Sequence, residues 1–149
     1  MNLRRVLTFV ILFALIAATP AMASQSQVKQ LLTEAMGQIG APYKLHSDAP
    51  KSFNCLSFVA YCVNQVDDGT ITADGIAGDY DKVTSYSKVK AGDVVCFRAA
   101  KRKKGIRAYH FGICIGGGCF VHATNDVGKV TVSRMKDYKK RFLGAIRIF

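Results

Sequence analysis

The segment from Tyr109 to Ala123 limits the fold more than any other part of the chain. Two apolar runs, Tyr109–Ile115 and Cys119–Ala123, are separated only by Gly116-Gly117-Gly118. So short a glycine break between two strand-like runs predicts a β-hairpin. Each run carries one histidine, His110 and His122. In a regular antiparallel ladder, paired residues share a face. A register that sets His110 directly across from His122 gathers His110, Gly112, Cys114, Phe120 and His122 on one face. Phe111, Ile113, Ile115, Cys119 and Val121 then form an apolar set on the other. A slip of one residue pairs Cys114 with Cys119 instead and sends the histidines to opposite faces. The histidine register is the expected one, with a bulge or the slipped register as the alternatives. It argues against a Cys114–Cys119 disulfide.

The rest of the chain reads as helices first and strands later. Val28, Leu31, Leu32, Ala35, Met36 and Ile39 recur at helical spacing, and Gly37, Gly40 and Pro42 end that helix. From Cys55 the run Leu56, Phe58, Val59, Ala60, Cys62, Val63 and Val66 is apolar on most sides. It predicts a buried central helix with Asn54 as its N-cap. Asp67 to Asp81 holds five acids, no Lys or Arg, and three glycines, which predicts an irregular surface loop. Ala91-Gly92-Asp93 is a turn that opens a strand over Val94–Phe97. Asp93 is read as a turn residue, not a catalytic acid. Lys129–Val132 and Gly144–Phe149 are further strands, with a helical turn over Asp137–Phe142. This order predicts an α+β domain with an antiparallel sheet.

The first 23 residues read as an address. Arg4 and Arg5 precede an apolar run, Val6–Ala18, and Ala21-Met22-Ala23 offers small residues before a cut at Ser24. Thirteen helical residues rise only about 20 Å, short of the ~30 Å hydrocarbon core of a bilayer. The expected organisation is therefore a secretory signal peptide over 1–23 and one domain over 24–149. The product is secreted or periplasmic, with no stable membrane insertion, and a monomer is expected. Export permits disulfides, but five cysteines cannot all pair within one chain, and their connectivity is not legible.

A cysteine attacks carbonyls as thiolate, and a helix N-terminus or an imidazole lowers its pKa. Cys55 stands where the central helix opens, and backbone N–H groups there can receive an oxyanion. Its candidate bases are few: the chain has three histidines, His46, His110 and His122. His46 lies in a polar loop and is read as solvated. No C-x₂-C or H-x₃-H spacing suits zinc, and the glycine triplet lacks the Lys-Ser/Thr and helix of a phosphate loop. No metal or other cofactor is expected.

Four segments in order resemble the NlpC/P60 cysteine peptidases: G-A-P-Y (Gly40–Tyr43), F-N-C-L-S-F-V-A-Y (Phe53–Tyr61), A-G-D-V-V-C-F (Ala91–Phe97) and H-F-G-I-C-I-G-G-G-C-F-V-H-A (His110–Ala123). The resemblance implies a compact papain-like fold, with the nucleophile helix packed on a small antiparallel sheet. It implies a hydrolase that cuts peptide or amide bonds in bacterial peptidoglycan stem peptides. Cys55 is then the nucleophile, His110 the general base and His122 the group that orients it. Tyr43, Asn54 and Leu56 stand at substrate-binding positions. The chain departs from the family around the nucleophile, where D-C-S-G is usual and Asn54-Cys55-Leu56-Ser57 stands here. A carboxylate beside the thiol is lost, and Ser57 in place of Gly threatens to crowd the helix against the sheet. The tryptophan of the family's W-G-G is also absent, with Lys44-Leu45-His46 in its place.

Those departures keep two other functions open. One is a cysteine amidase or acyl transferase on a non-wall substrate. The other is an inactive basic module that binds the wall. Charge bears on both. The chain carries +11 at pH 7, and from Lys82 onward 16 basic residues face 3 acidic ones. Lys101-Arg102-Lys103-Lys104 directly precedes the strand of His110, so it is expected at the cleft rim as a docking patch for an anionic cell-wall surface. Nucleic acid would suit the charge but not an exported cysteine hydrolase.

Overall fold

The computed structural model describes residues 20–67, 81–100 and 109–149. The leader before Pro20, most of the acidic loop and the Lys101–Lys104 run lie outside the described residues. The elements are helices α1 (Pro20–Gly37) and α2 (Cys55–Asn64), then strands β1 (Asp81–Val83), β2 (Val94–Arg98), β3 (Tyr109–Gly116), β4 (Cys119–Thr124) and β5 (Lys129–Arg134). A short helix α3 (Met135–Tyr138) and a 3₁₀ turn (Lys139–Arg141) lead into β6 (Phe142–Arg147). Among the described residues, all strand pairs are antiparallel in one six-stranded sheet, ordered β1-β6-β2-β3-β4-β5. The fold is α+β, with helices first as expected. Asp81, placed in the acidic loop by its composition, instead opens the edge strand β1.

One face of the sheet carries α2. Ile113, Val121, Ala123, Val94 and Val130 pack there against Phe58, Val59, Cys62 and Val63 of α2 and Leu31 and Ala35 of α1. The other face has a second core, with Val95, Phe97, Cys114, Phe120, Met135 and Ala145. α1 buries a narrower stripe than its periodicity predicts. Leu31 and Ala35 are buried, but Met36 is exposed, and Ile39 falls beyond the helix end and is exposed too.

The hairpin register differs from the expected one. The turn closes tightly on Gly117-Gly118, so Gly116 pairs with Cys119. Continued as a regular ladder, that closure would send His110 and His122 to opposite faces. A bulge at Ile115 shifts the register, and Cys114 then pairs with Phe120 and Ile113 with Val121. Parity is restored, and the histidines share a face as diagonal rather than direct neighbours. Cys114 and Cys119 are not partners, and all five cysteines are free.

The segment before α2 is tied to the far sheet edge. Gly40 N–H donates to the Val130 carbonyl at 2.9 Å, Val130 N–H to Ala41 at 2.8 Å and Tyr43 N–H to Gly128 at 2.8 Å. Lys44 N–H and Phe53 N–H then close a bridge between this segment and the entry to α2. Tyr43 is thereby fixed close to the start of α2.

Candidate active site

Asn54 caps α2 with its side-chain oxygen, which accepts from Leu56 N–H at 3.0 Å and Ser57 N–H at 2.9 Å. Ser57 Oγ in turn accepts from the Asn54 N–H at 3.0 Å, completing a capping box. Ser57 therefore does not crowd the helix. It closes the cap and accepts a bond from Ser47 Oγ at 2.8 Å. The Asn54 amide donates to the Leu45 carbonyl at 3.0 Å and to Ser47 Oγ at 3.3 Å, which holds the preceding loop.

This cap places Cys55 in the first turn. Burial raises the thiol pKa above its ordinary value, while backbone N–H groups of Phe111, Cys55 and Leu56 turned toward the sulfur pull it down. Burial wins. The expectation that the helix start would depress the thiol is met by one contribution and reversed in the net. Cys96, in β2, is half-buried. Its thiol is pushed up to about 11, by burial first and then by the Cys55 charge.

His110 and His122 meet ring to ring. His110 Nε2 lies 2.6 Å from His122 Nδ1, and His122 Nε2 lies 2.9 Å from Ser133 Oγ. The three side chains form one line of hydrogen bonds. His122 is fully buried, and its ring packs against Phe120 and Tyr138 with centroids 4.6 and 5.6 Å away. Gly112 makes this possible. A Cβ there would stand 2.5 Å from Phe120 Cδ2, 2.8 Å from the Val121 carbonyl and 3.1 Å from His122 Cβ. Burial, and next the Arg141 charge, push His110 down to about 4. Burial, His110 and Arg141 push His122 down to about 3. All three shifts favour the neutral thiol and neutral imidazoles over an ion pair.

Cys55 and His110 open on one cleft of about 330 Å³, with Tyr43 and Asn54 also on its wall. Burial and the Cys55 charge raise the Tyr43 hydroxyl pKa. Leu56 is not among the residues lining the cleft; its side chain packs against the core that α2 shares with the sheet. His46 does not line the cleft either and is exposed. Asp93 is buried in its turn, where it accepts the Lys90 N–H and holds Arg147 through two bonds of 2.8 Å. Among the described residues, no cluster of His, Cys, Asp or Glu is arranged to hold a metal.

Three residues of this region escaped sequence reasoning. Ser133 reaches His122 only because β5 pairs with β4, setting Ser133 opposite Phe120. Tyr138 and Arg141 come from the turn after β5, and Arg141 lies over the Tyr138 ring at 4.4 Å. None stands in a motif. Ser133 lies one residue beyond the strand expected over Lys129–Val132, because β5 runs on to Arg134.

Similarity to known proteins agrees with this architecture. The pattern of the NlpC/P60 family matches residues 40–147, and the chain belongs to that family. It is 29% identical over 120 residues to a "Probable peptidoglycan endopeptidase LytE" of Bacillus subtilis, covering 80% of this chain and 34% of that one. It is 31% identical over 111 residues to "Murein DD-endopeptidase MepS/Murein LD-carboxypeptidase" of Escherichia coli K12, covering 73% of this chain and 56% of that one. Among solved structures, the NlpC/p60 domain of the peptidoglycan hydrolase SagA superposes with a TM-score of 0.66 at 27% identity, covering 81% of this chain and 98% of that one. The chain spans a third to just over half of the two curated relatives named.

Proposed function

We propose that this chain is an exported cysteine hydrolase that cleaves peptide or amide bonds in the stem peptides of bacterial peptidoglycan. The observation that carries the reading is the shared cleft. A thiol at a helix start and a line of two imidazoles and a hydroxyl open on the same space. Relatives whose names specify endopeptidases of peptidoglycan or murein support the substrate class.

The hydrogen-bond line suggests how the base is set. If His110 donates from Nε2 to His122 Nδ1, and His122 donates from Nε2 to Ser133, the His110 Nδ1 lone pair is left for the thiol. His110 takes the Cys55 proton as sulfur attacks the carbonyl carbon, so charge develops only in the transition state. Asn54 occupies the Leu56 and Ser57 N–H groups, which leaves the Cys55 N–H as the helix-start donor for the oxyanion. His110 then returns the proton to the leaving amine, and water releases the acyl group. No step calls for a cofactor.

Export rests on the leader, and mass spectrometry of the secreted or periplasmic form should find Ser24 at the N-terminus. Docking to the anionic wall rests on Lys101–Lys104, and wall binding should weaken with salt. The decisive test is digestion of purified sacculi with product analysis by mass spectrometry. Wild-type protein should release new muropeptides, and Cys55→Ala should not. Unchanged sacculi combined with iodoacetamide labelling of Cys55 would move the reading to an amidase or acyl transferase on a non-wall substrate.

A further inference from the structure

The electrostatics of the cleft are lopsided. On the Cys55 side, the position next to the thiol is Asn54, whose oxygen is taken by the α2 cap. Position 54 therefore offers no carboxylate beside the thiol to hold an ammonium group. On the His110 side stands Arg141. Its guanidinium lies over the Tyr138 ring at 4.4 Å, and that ring stacks on His110 with centroids 6.3 Å apart. Arg141 Nη1 donates to the Arg98 carbonyl at 3.4 Å. Arg141 forms no salt bridge among the described residues. A half-buried guanidinium held over an aromatic face, with N–H groups to spare, is a preorganised fork for a carboxylate. Among the described residues lining the cleft, the other charged one is Asp126, exposed on the turn after β4, whose charge opposes that of Arg141 at His110.

The direction of the reaction tells which part of a substrate lies near Arg141. A general acid must reach the amine it protonates. The leaving amine therefore sits at His110, and the residue bearing it extends along the His110 side of the cleft. We propose that Arg141 is the specificity residue of this site and binds a free carboxylate on the residue whose amine leaves. The substrates favoured are then peptides with an anionic residue just after the scissile bond. The proposal rests on the hydrolase reading above, but its binding test does not need turnover.

The probe is a synthetic stem tetrapeptide with all carboxylates free, alongside versions in which each carboxylate is converted singly to a carboxamide. Binding is measured by calorimetry to Cys55→Ala protein, so that nothing is consumed. One amidation should weaken binding by about tenfold or more, the loss expected for a charge-assisted bond in a half-buried site. In Cys55→Ala/Arg141→Gln, free and amidated peptides should bind alike. Arg141→Lys should keep part of the preference, because it keeps the charge and loses the fork. Product masses from the wild-type protein should place the sensitive carboxylate on the amine product.

Equal binding of all peptides to Cys55→Ala overturns the proposal. So does a preference that survives Arg141→Gln, or a sensitive carboxylate on the acyl product. The preference of Cys55→Ala protein and its loss in high salt need no change at Arg141, so the proposal stays testable if Arg141→Gln does not fold. Failure of the hydrolase reading looks different: sacculi stay intact with wild-type protein, whatever the calorimetry shows.

Discussion

Replacing Gly112 by alanine adds one methyl group at the point where the two histidines are aligned. Its Cβ would meet Phe120 Cδ2 at 2.5 Å, the Val121 carbonyl at 2.8 Å and His122 Cβ at 3.1 Å. Carbon atoms prefer about 3.5–4.0 Å, so Phe120 or the backbone must move by about 1 Å. Neither has an easy way to do so. Phe120 is fully buried with Phe97 at 5.0 Å and Tyr138 at 4.9 Å between ring centroids. His122 is held at both ring nitrogens. Overpacking of this kind costs about 1–3 kcal/mol. A displacement of about 1 Å in catalytic groups costs roughly 100-fold in rate. Gly112→Ala should therefore lose activity far out of proportion to its stability. Urea unfolding reads the first quantity and sacculus digestion the second. Phe120→Leu in the same background should restore part of the activity by clearing the closest contact. Activity within twofold of wild type in Gly112→Ala would refute the reasoning, because it would mean that the dyad tolerates displacement.

Other perturbations test separate parts of the molecule. His110 and His122 are pushed down to about 4 and about 3 from an ordinary 6.5. The unfolded chain therefore binds more protons than the folded one between these values, and folding stability must fall as pH drops below 6.5. The slope is about 1.4 kcal/mol per pH unit for each group that titrates, at most, and thermal unfolding between pH 7 and 4 should show it. By the same shift, kcat/KM should hold to near pH 4 before its acid limb. Arg141→Gln should move that limb to higher pH, because a cation near His110 is removed. Asn54→Ala should cost about 1 kcal/mol of stability through loss of the α2 cap, measured in urea, and should lower the rate as Cys55 loses its fixed position. Asp93→Asn should destabilise by about 2–3 kcal/mol, below the usual range for a broken buried pair, because Arg147 retains 32% side-chain exposure against 2% for Asp93.

Much of the fold was legible because its signals are local. The helical spacing from Val28, the apolar run from Cys55 and the strand–glycine–strand pattern of the hairpin each depend on neighbours in sequence. Asn54 was readable as a cap for the same reason. The hairpin register was not, because it depends on where a two-residue turn closes and whether a bulge follows. Neither is encoded in a run of three glycines, each of which accepts the positive φ it adopts here, 84°, 60° and 72°. Cys55 and both histidines could be named as candidates from motifs, whereas Ser133, Tyr138 and Arg141 could not. They reach the site through β4–β5 pairing and the turn beyond it, and pairing between strands leaves no mark on either strand alone.

The same limit applied to the electrostatics. A helix start and nearby imidazoles predict a depressed thiol, and the N–H groups that would depress it are in place. How strongly burial opposes them depends on the packing around the thiol, which no spacing reports. Asn54 shows how the two levels join. As a residue type it removes a carboxylate from beside the thiol. As a cap it takes up two helix-start donors and positions Cys55. Asn54 thus leaves the cap in place while it lacks the negative charge of the family's acid. Restoring the acid with Asn54→Asp should keep the helix cap and add a negative charge but lose the amide bonds to Leu45 and Ser47, so a change in peptide preference that Asn54→Ala does not share reports the charge.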